Sequence, residues 1–397
     1  MLKNKTVILG VSGSIAAYKA ASLASLLVKA HADVHVIMTE NALNFINPIT
    51  FETLTNNKCL TDTFDRNFQF NVEHVSLAKK ADLFIIAPAT ANVIAKIANG
   101  LADDMLTTTF LAASCPKIIS PAMNTGMLEN PVTQDNINKC THYGIKIIES
   151  ETGRLACGDT GKGKLPEPEV LFDSIINEIA FEKDLSGKKI LITAGPTQES
   201  LDPVRFITNH SSGKMGYALA QAAVMRGATV TLISGPVNLK PPAGVTVHNI
   251  VSAQDMFECV KKYSPENEII IKSAAVADYK PADISDEKIK KSDTELSIKL
   301  TRTNDILKWL GENKRPNQFL CGFSMETQNL IENSKAKLLK KNLDLICANN
   351  IKTEGAGFQK DTNVITMISR NFIEELPLLS KFEAANKILD EIIQLSN

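Results

Sequence analysis

Two short runs of small and polar residues have the types and spacing to do chemistry on phosphate groups. The first is Gly10-Val-Ser-Gly13-Ser14, between the apolar run Thr6–Leu9 and a helically spaced, alanine-rich segment from Ile15 to Ala30. Such a run places unpaired backbone N–H groups at a helix N-terminus, where the helix dipole also favours an anion. Ser12 and Ser14 would add hydroxyl donors for a mononucleotide phosphate. A tight strand-to-helix turn would use the same residues. The pattern is not G-x-G-x-x-G, and no acidic residue closes the following strand Asp33–Met38, which disfavours NAD. The second run is Asn209-His-Ser-Ser-Gly-Lys214, ahead of the helical segment Lys214–Arg226. It suits a phosphate or acyl-phosphate, and a simple helix cap would need only one of its residues. Further on, Lys337 and Lys341 share one helix face and could clamp a triphosphate, although lysines on a helix ordinarily form a solvated face.

Two other residues carry reactive side chains. Cys157 lies in Glu151–Pro168, a stretch with four glycines and two prolines that reads as a loop without a regular ladder. A long polar loop of this kind is often a lid or binding flap. A lone cysteine is ordinarily inert core, but little crowds this one between Ala156 and Gly158. His74 stands in Glu73-His74-Val75 just before a helix, where a histidine is ordinarily solvated surface.

The elements that position these residues follow from the apolar pattern. In the first half, strands are expected at Thr6–Leu9, Asp33–Met38, Asp82–Ala87 and Lys117–Ser120, with a turn over Pro88–Asn92. Parallel strands end along one sheet edge, so the loops after Leu9, Met38, Ala87 and Ser120 would converge there. A second beginning, Lys188–Ala194 running into Gly195-Pro196, follows the polar linker Phe181–Gly187. Strands are then expected at Thr229–Ser234, Glu268–Ile271, Gly322–Glu326 and Leu343–Ala348. The fold class is α/β, with two Rossmann-like domains, each a mainly parallel sheet flanked by helices. The expected boundaries are 1–182 and 187–397.

Composition sets the class. The chain has 397 residues, enough for two domains, and 44% hydrophobic content is ordinary for a globular protein. A net charge of −1 provides no global field for nucleic acid or an anionic membrane. Seven cysteines without a CxxC pair suit a reducing compartment and no zinc site. No signal peptide or membrane-length apolar run is read, so a cytoplasmic location is expected.

The motifs of the first half occur together in a characteristic order: Gly10-x-Ser-Gly-Ser14-Ile-Ala-Ala, Glu73-His74, Pro88-Ala-Thr-Ala-Asn92, Pro121-Ala-Met-Asn124-x-x-Met127 and Ala156-Cys157-Gly158. In this the half resembles the homo-oligomeric flavin-containing cysteine decarboxylases, with one departure at Leu128, where some members carry an aromatic residue. The resemblance implies a flavodoxin-like domain and FMN lined by Gly13, Ser14, Ile15, Thr39, Thr90, Ala91, Asn92 and Ala122. It implies that Asn124 holds the substrate carboxylate and amide, with Met127 also at the substrate. His74 would act in the oxidative step and Cys157 would donate a proton in the reductive one.

The second half, through Asp202-Pro-Val-Arg-Phe-Ile-Thr-Asn-His-Ser-Ser-Gly-Lys-Met-Gly216, Ala274-Ala-Val-Ala-Asp278 and Lys288-Ile-Lys-Lys291, resembles phosphopantothenate–cysteine ligases. Asn304 stands where relatives often have proline. The resemblance implies CTP contacts at Ser273, Ala274, Asp278, Lys288, Asn304, Asp305, Ile306, Phe323, Lys337 and Lys341, with Mg²⁺ accompanying the triphosphate. Lys288 would stabilise charge at the reacting phosphate, and Asn209, with Arg205 at the substrate, would hold an acyl-cytidylate for attack by cysteine. Together the halves resemble the bifunctional coenzyme A biosynthesis family. That family would take 4′-phosphopantothenate, cysteine and CTP, with no nucleic-acid or membrane partner. It would assemble as a homo-oligomer with trimeric decarboxylase contacts and dimeric ligase contacts, giving a dodecamer by analogy. A flavin-binding regulatory subunit would not need His74, Asn124 and Cys157 together. A peptidyl-cysteine decarboxylase would leave the second half unexplained.

Overall fold

The computed structural model describes residues 2–63, 73–154, 158, 160–290, 297–326, 328–350 and 360–396. The chain forms two compact units, Met1–Phe181 and Glu182–Asn397. Both are α/β, and both sheets are mainly parallel with helices packed against them.

In the first unit, β1 (Thr6–Val11), α1 (Ala17–Lys29) and β2 (Asp33–Met38) form a βαβ unit. α2 (Glu73–Lys80), β3 (Leu83–Ala89), α3 (Ala91–Ala98), β4 (Lys117–Pro121) and β5 (Lys146–Ile147) follow. The strand order is β2-β1-β3-β4-β5, all parallel. β1 and β3 are buried along their whole length because helices cover both faces, and this is why they read as continuous apolar runs. Each fully buried Leu or Ile contributes roughly 1.5–3 kcal/mol of transfer free energy. That is enough to fix these strands without help from local propensity.

Three expectations for this unit change. Pro88 and Ala89 belong to β3 rather than to a turn, and the β3–β4 register shifts between Ile86 and Ala89. An irregularity of that kind tolerates a residue without an N–H. His74 lies inside the first turn of α2 rather than before it. Glu151–Pro168 is not a ladder-free loop: β6 (Glu151–Arg154) pairs antiparallel with β7 (Thr160–Lys164). The hairpin is held by backbone pairing and by docking rather than by an apolar face, so it leaves no hydrophobic alternation to read.

The second unit opens with β8 (Lys189–Ala194). α4 (Lys214–Met225), β9 (Thr229–Ser234), β10 (Val245–Asn249) and β11 (Ile269–Lys272) follow. α5 (Ile306–Glu312), β12 (Phe319–Glu326), α6 (Leu330–Lys340) and β13 (Leu345–Asn350) continue the alternation. β14 (Ile365–Ile368), β15 (Ile373–Glu375) and α7 (Lys381–Ser396) complete it. The sheet order is β10-β9-β8-β11-β12-β13-β14-β15, parallel up to β13 and antiparallel beyond it. One core lies under α4 and α7, the other under α5 and α6. Among the described residues, no helix is long and apolar enough to cross a membrane.

Candidate functional sites

In the first unit, the loops at the C-terminal sheet edge meet in a cleft of about 590 Å³. That size is usual for a small-molecule or cofactor site. Gly13, Ser14 and Ile15 line it from the loop after β1, and Thr90 and Ala91 from the loop after β3. Ala122, Asn124 and Met127 line it from the loop after β4. Thr39, Asn92 and His74 are not in this lining. Cys157 lies outside the described residues.

Each loop is set by local bonding. Ser12 is fully buried. Its hydroxyl donates to Pro88 O at 2.8 Å and accepts from Thr90 N at 3.0 Å, so it ties two loops together and is not a phosphate donor. The Ser14 hydroxyl accepts from Ala16 N–H at 3.3 Å and remains at the cleft surface. Gly13 has no room for a side chain, because a Cβ there would lie 2.7 Å from Asn41 Cβ. Asn124 caps the short turn Thr125–Leu128, its Oδ1 accepting from Gly126 N–H at 2.8 Å. Over this turn lies the hairpin: Met123 N–H donates to Gly163 O at 3.1 Å and the Thr125 hydroxyl to Lys162 O at 2.8 Å.

The sequence reading missed Lys19, Arg154 and Lys164 in this cleft. Lys19 is 4% exposed, and its Nζ donates to Leu165 O at 2.8 Å and to Glu167 Oε1 at 3.0 Å. Lys19 and Lys164 together hold the Glu167 carboxyl below its ordinary range. A lysine on the buried face of an alanine-rich helix is the signal that would have found it, since such a charge persists only when paired.

The residues present fit a flavin nucleotide. The cleft has apolar walls, and the N-terminus of α1 offers backbone donors to a phosphate. Nearby, at the end of β2, the Thr39 hydroxyl is buried without a hydrogen-bond partner, and Thr39 N–H donates to Val11 O at 3.0 Å. A buried hydroxyl left unsatisfied is costly, and a ligand oxygen or ring nitrogen would satisfy it. Thr39→Val is therefore expected to weaken flavin retention about tenfold while leaving the thermal midpoint of the flavin-free protein within a few degrees. Flavin fluorescence titration and melting curves measure the two effects.

In the second unit, the loop after β8 and the loop after β11 are laced together. Ala274 N–H donates to the Thr193 hydroxyl at 3.1 Å and Ala277 N–H to the Thr197 hydroxyl at 3.0 Å. Asn209 Nδ2 donates to Ala275 O at 3.0 Å. This brings Asn209 beside the expected Ser273–Ala274 contact. A pocket of about 140 Å³ follows, built on the N-terminus of α4. Ser211 to Gly216 form its floor, with Ser273, Ala274 and Phe323 at its side. Asn349, Asn363 and Lys381 complete it, and the sequence reading missed all three. Asn349 is buried in the pocket wall with Oδ1 unpartnered, a buried acceptor that a ligand donor would satisfy. Burial, helped by Lys214, pushes Lys381 down to about 8.

The other expected nucleotide residues gather at the neighbouring helices. Asp305 caps α5, with Ile306 buried behind it, and Asn304 Nδ2 donates to Gln254 Oε1 at 2.9 Å. Lys341 pairs with Asp305 at 3.0 Å. Burial raises the Asp305 carboxyl, but the Lys308 N–H and Lys341 outweigh it and hold it below the ordinary range. Lys337, Lys341, Asp278 and Asp305 all act electrostatically on Lys272. Lys288 is exposed on the segment between Tyr279–Pro281 and Leu300. That segment is anchored through its neighbour, since Ile289 N–H donates to Asp202 Oδ2 at 3.1 Å. Arg205 pairs with Asp202 at 2.8 Å and donates to Ile289 O. Burial raises Asp202, yet the N–H groups of Val204, Ile289 and Arg205 and the Arg205 charge bring it to about 2. Among the described residues, no group of three or more His, Cys, Asp or Glu side chains forms a metal site.

Comparison with known proteins follows the same division. A flavoprotein family profile matches residues 1–180, and the DNA/pantothenate metabolism flavoprotein C-terminal domain matches residues 185–395. The chain is 50% identical over 400 residues to the coenzyme A biosynthesis bifunctional protein of Bacillus subtilis strain 168, covering 100% of this chain and 98% of that one. This chain belongs to the bifunctional coenzyme A biosynthesis family. The Haemophilus influenzae protein of the same name is 43% identical over 393 residues, covering 99% and 98% of the two chains. A crystal structure of the C-terminal domain of a coenzyme A biosynthesis bifunctional protein is 47% identical, covering 53% of this chain and 96% of that one with a TM-score of 0.46. As a member of the family, the chain is a flavoprotein and an enzyme of coenzyme A biosynthesis with decarboxylase and ligase activities.

Proposed function

We propose that the two units run consecutive reactions. The second, 187–397, joins cysteine to 4′-phosphopantothenate at the expense of CTP. The first, 1–182, decarboxylates the resulting 4′-phosphopantothenoylcysteine to 4′-phosphopantetheine with FMN. In ligation, the carboxylate of 4′-phosphopantothenate attacks the α-phosphate of CTP and pyrophosphate leaves. The cysteine amine then attacks the acyl-cytidylate and CMP leaves. Lys288 supplies charge at the reacting phosphate. Asn209, held against Ala275, positions the acyl carbonyl, and Arg205 faces the substrate. Ser273, Ala274, Asp278 and Phe323 bind the nucleotide with Asn304, Asp305, Ile306, Lys337 and Lys341. Mg²⁺ accompanies the triphosphate.

In decarboxylation, the chemistry that FMN supplies when bound is reversible two-electron exchange with the substrate's thiol-bearing carbon, which lets CO₂ leave without a bare carbanion. The chain supplies position and protons. Asn124, fixed at the head of its turn by the Gly126 N–H to Oδ1 bond, holds the substrate carboxylate and amide. His74 assists proton removal in the oxidative step, and Cys157 returns a proton in the reductive one. Thr39, Thr90 and Asn92 complete the flavin contacts. Ile15, Tyr18, Phe45 and Met127 leave a broad exposed apolar surface around the cleft, which supports a homo-oligomer closing over it. Trimeric contacts at this unit, dimeric ones at the other and a cytoplasmic location complete the reading.

The observation that carries the decarboxylase assignment is that the Gly13–Ile15 and Asn124–Met127 loops line one cleft beneath the Glu151–Lys164 hairpin. The purified protein, incubated with 4′-phosphopantothenate, cysteine, CTP and Mg²⁺, is expected to release pyrophosphate, CMP and CO₂ and to form 4′-phosphopantetheine. Flavin-free protein should stop at 4′-phosphopantothenoylcysteine. Release of CO₂ without flavin would sink the first assignment; pyrophosphate release independent of cytidine nucleotide would sink the second.

A further inference from the structure

One partly buried cation has no part in the scheme above. Lys272 ends β11, between β8 and β12 in the sheet. Ile270 packs in the core under α5 and α6, and the period-two alternation of a strand puts Lys272 on that same face. Its Nζ donates to Ala274 O at 3.0 Å. The charged groups acting on it are Lys341, which caps the C-terminus of α6, Lys337 in α6, Asp278 after β11 and Asp305 at the N-cap of α5. Lys341 already pairs with Asp305. Three ammonium groups therefore share two carboxylates at the C-terminal edge of parallel strands, the edge where open α/β sheets bind ligands. Removing an ammonium from water beside two others is unfavourable unless something compensates. Burial first, and then Lys341 and Lys337, hold Lys272 down to about 8.

We propose that Lys272 is a third phosphate-binding cation of the nucleotide site, acting with Lys337 and Lys341 on the phosphate chain. The inference rests on the CTP reading of this unit and adds a residue to it. Without nucleotide, the three cations repel one another. A triphosphate reverses that balance, so Lys272 takes up a proton as nucleotide binds. Lys381, also held at about 8, lines the adjacent pocket, so the difference between variants is the diagnostic quantity.

The test is calorimetric titration of the full chain with CTP and Mg²⁺, without the other substrates, near pH 8 in two buffers of different ionisation enthalpy. Wild type should take up a fraction of a proton on binding. Lys272→Met should take up measurably less and bind CTP about tenfold more weakly, a loss of about 1.4 kcal/mol. Lys272→Arg, permanently charged, should keep CTP affinity within about threefold yet show the reduced uptake. Melting curves check folding. A lysine whose folded pKa is lowered penalises the fold below about 8, and the penalty fades as pH rises toward the ordinary lysine range of about 10. Lys272→Met should therefore melt at or above wild type at neutral pH, with the gap closing by about pH 10. A Lys272→Met variant with wild-type affinity and uptake overturns the proposal. So does Lys272→Arg binding as weakly as Lys272→Met, which would mark a packing role. A wild type that binds no CTP overturns the ligase reading itself and this inference with it.

Discussion

Gly163→Ala is expected to cut decarboxylation by at least about 100-fold while leaving cysteine ligation within about twofold of wild type. Gly163 has φ +134, a region that side-chain-bearing residues rarely enter. A Cβ there would sit 2.2 Å from Met123 O and 3.3 Å from Met123 C, both backbone atoms that cannot swing aside. The same contact carries the Met123 N–H to Gly163 O bond, so the hairpin must lift away from the turn that presents Asn124. A displacement of about 1 Å at a reacting centre can cost about 100-fold in rate. Supplying 4′-phosphopantothenoylcysteine directly and measuring CO₂ isolates this step, and pyrophosphate release reports the other. A variant that decarboxylates within about fivefold of wild type would show that the hairpin's seat on the Asn124 turn is dispensable.

Asp202→Ala is expected to do the reverse, lowering ligation about 100-fold and sparing decarboxylation. Asp202 is 3% exposed and accepts from Val204, Arg205 and Ile289 N–H groups while pairing with the Arg205 guanidinium. One carboxylate thus fixes both Arg205 and the segment that carries Lys288. Asp202→Asn keeps the shape but loses the charge and part of the acceptor capacity, so its loss should be smaller. The direction of the pH effect follows from the lowered carboxyl. With a folded pKa of about 2 against about 3.9 for an ordinary aspartate, the group's support is complete above about pH 4 and fades only as pH falls toward 2. Any loss of ligation between about pH 5 and 7 must therefore arise elsewhere. Ligation in Asp202→Ala within about fivefold of wild type would remove this anchor from the account.

The parallel strands were legible because burial on both faces writes itself as unbroken apolar sequence, as in Val7–Leu9 and Ile190–Ile192. The loops that follow β1 and precede α4 were legible as loops because small residues sit between an apolar strand and a helix. The hairpin was not, since Thr152, Gly153, Gly161 and Lys162 carry its pairing through backbone alone. Ser12 was misread because a hydroxyl in a glycine-rich loop looks the same whether it meets a ligand or, as here, Pro88 and Thr90. Lys272, Asn349 and Lys381 escaped notice for a topological reason. Nothing in their local sequence marks them; the fold does, by seating Lys272 on β11 beside β8 and by carrying Asn349 and Lys381 to the α4 pocket.

That last feature sets an order of completion during synthesis. The Met1–Phe181 unit has all of its own residues long before the ribosome finishes the chain, whereas the wall of the α4 pocket waits for Asn349, Asn363 and finally Lys381. A nascent chain can thus complete the cleft of its first unit while the α4 pocket of the second is still open on one side. A nonsense mutation just before Lys381 would yield a protein lacking α7 and its core residues Ala385, Ile388 and Ile392, deprived of ligation at both the pocket and the fold.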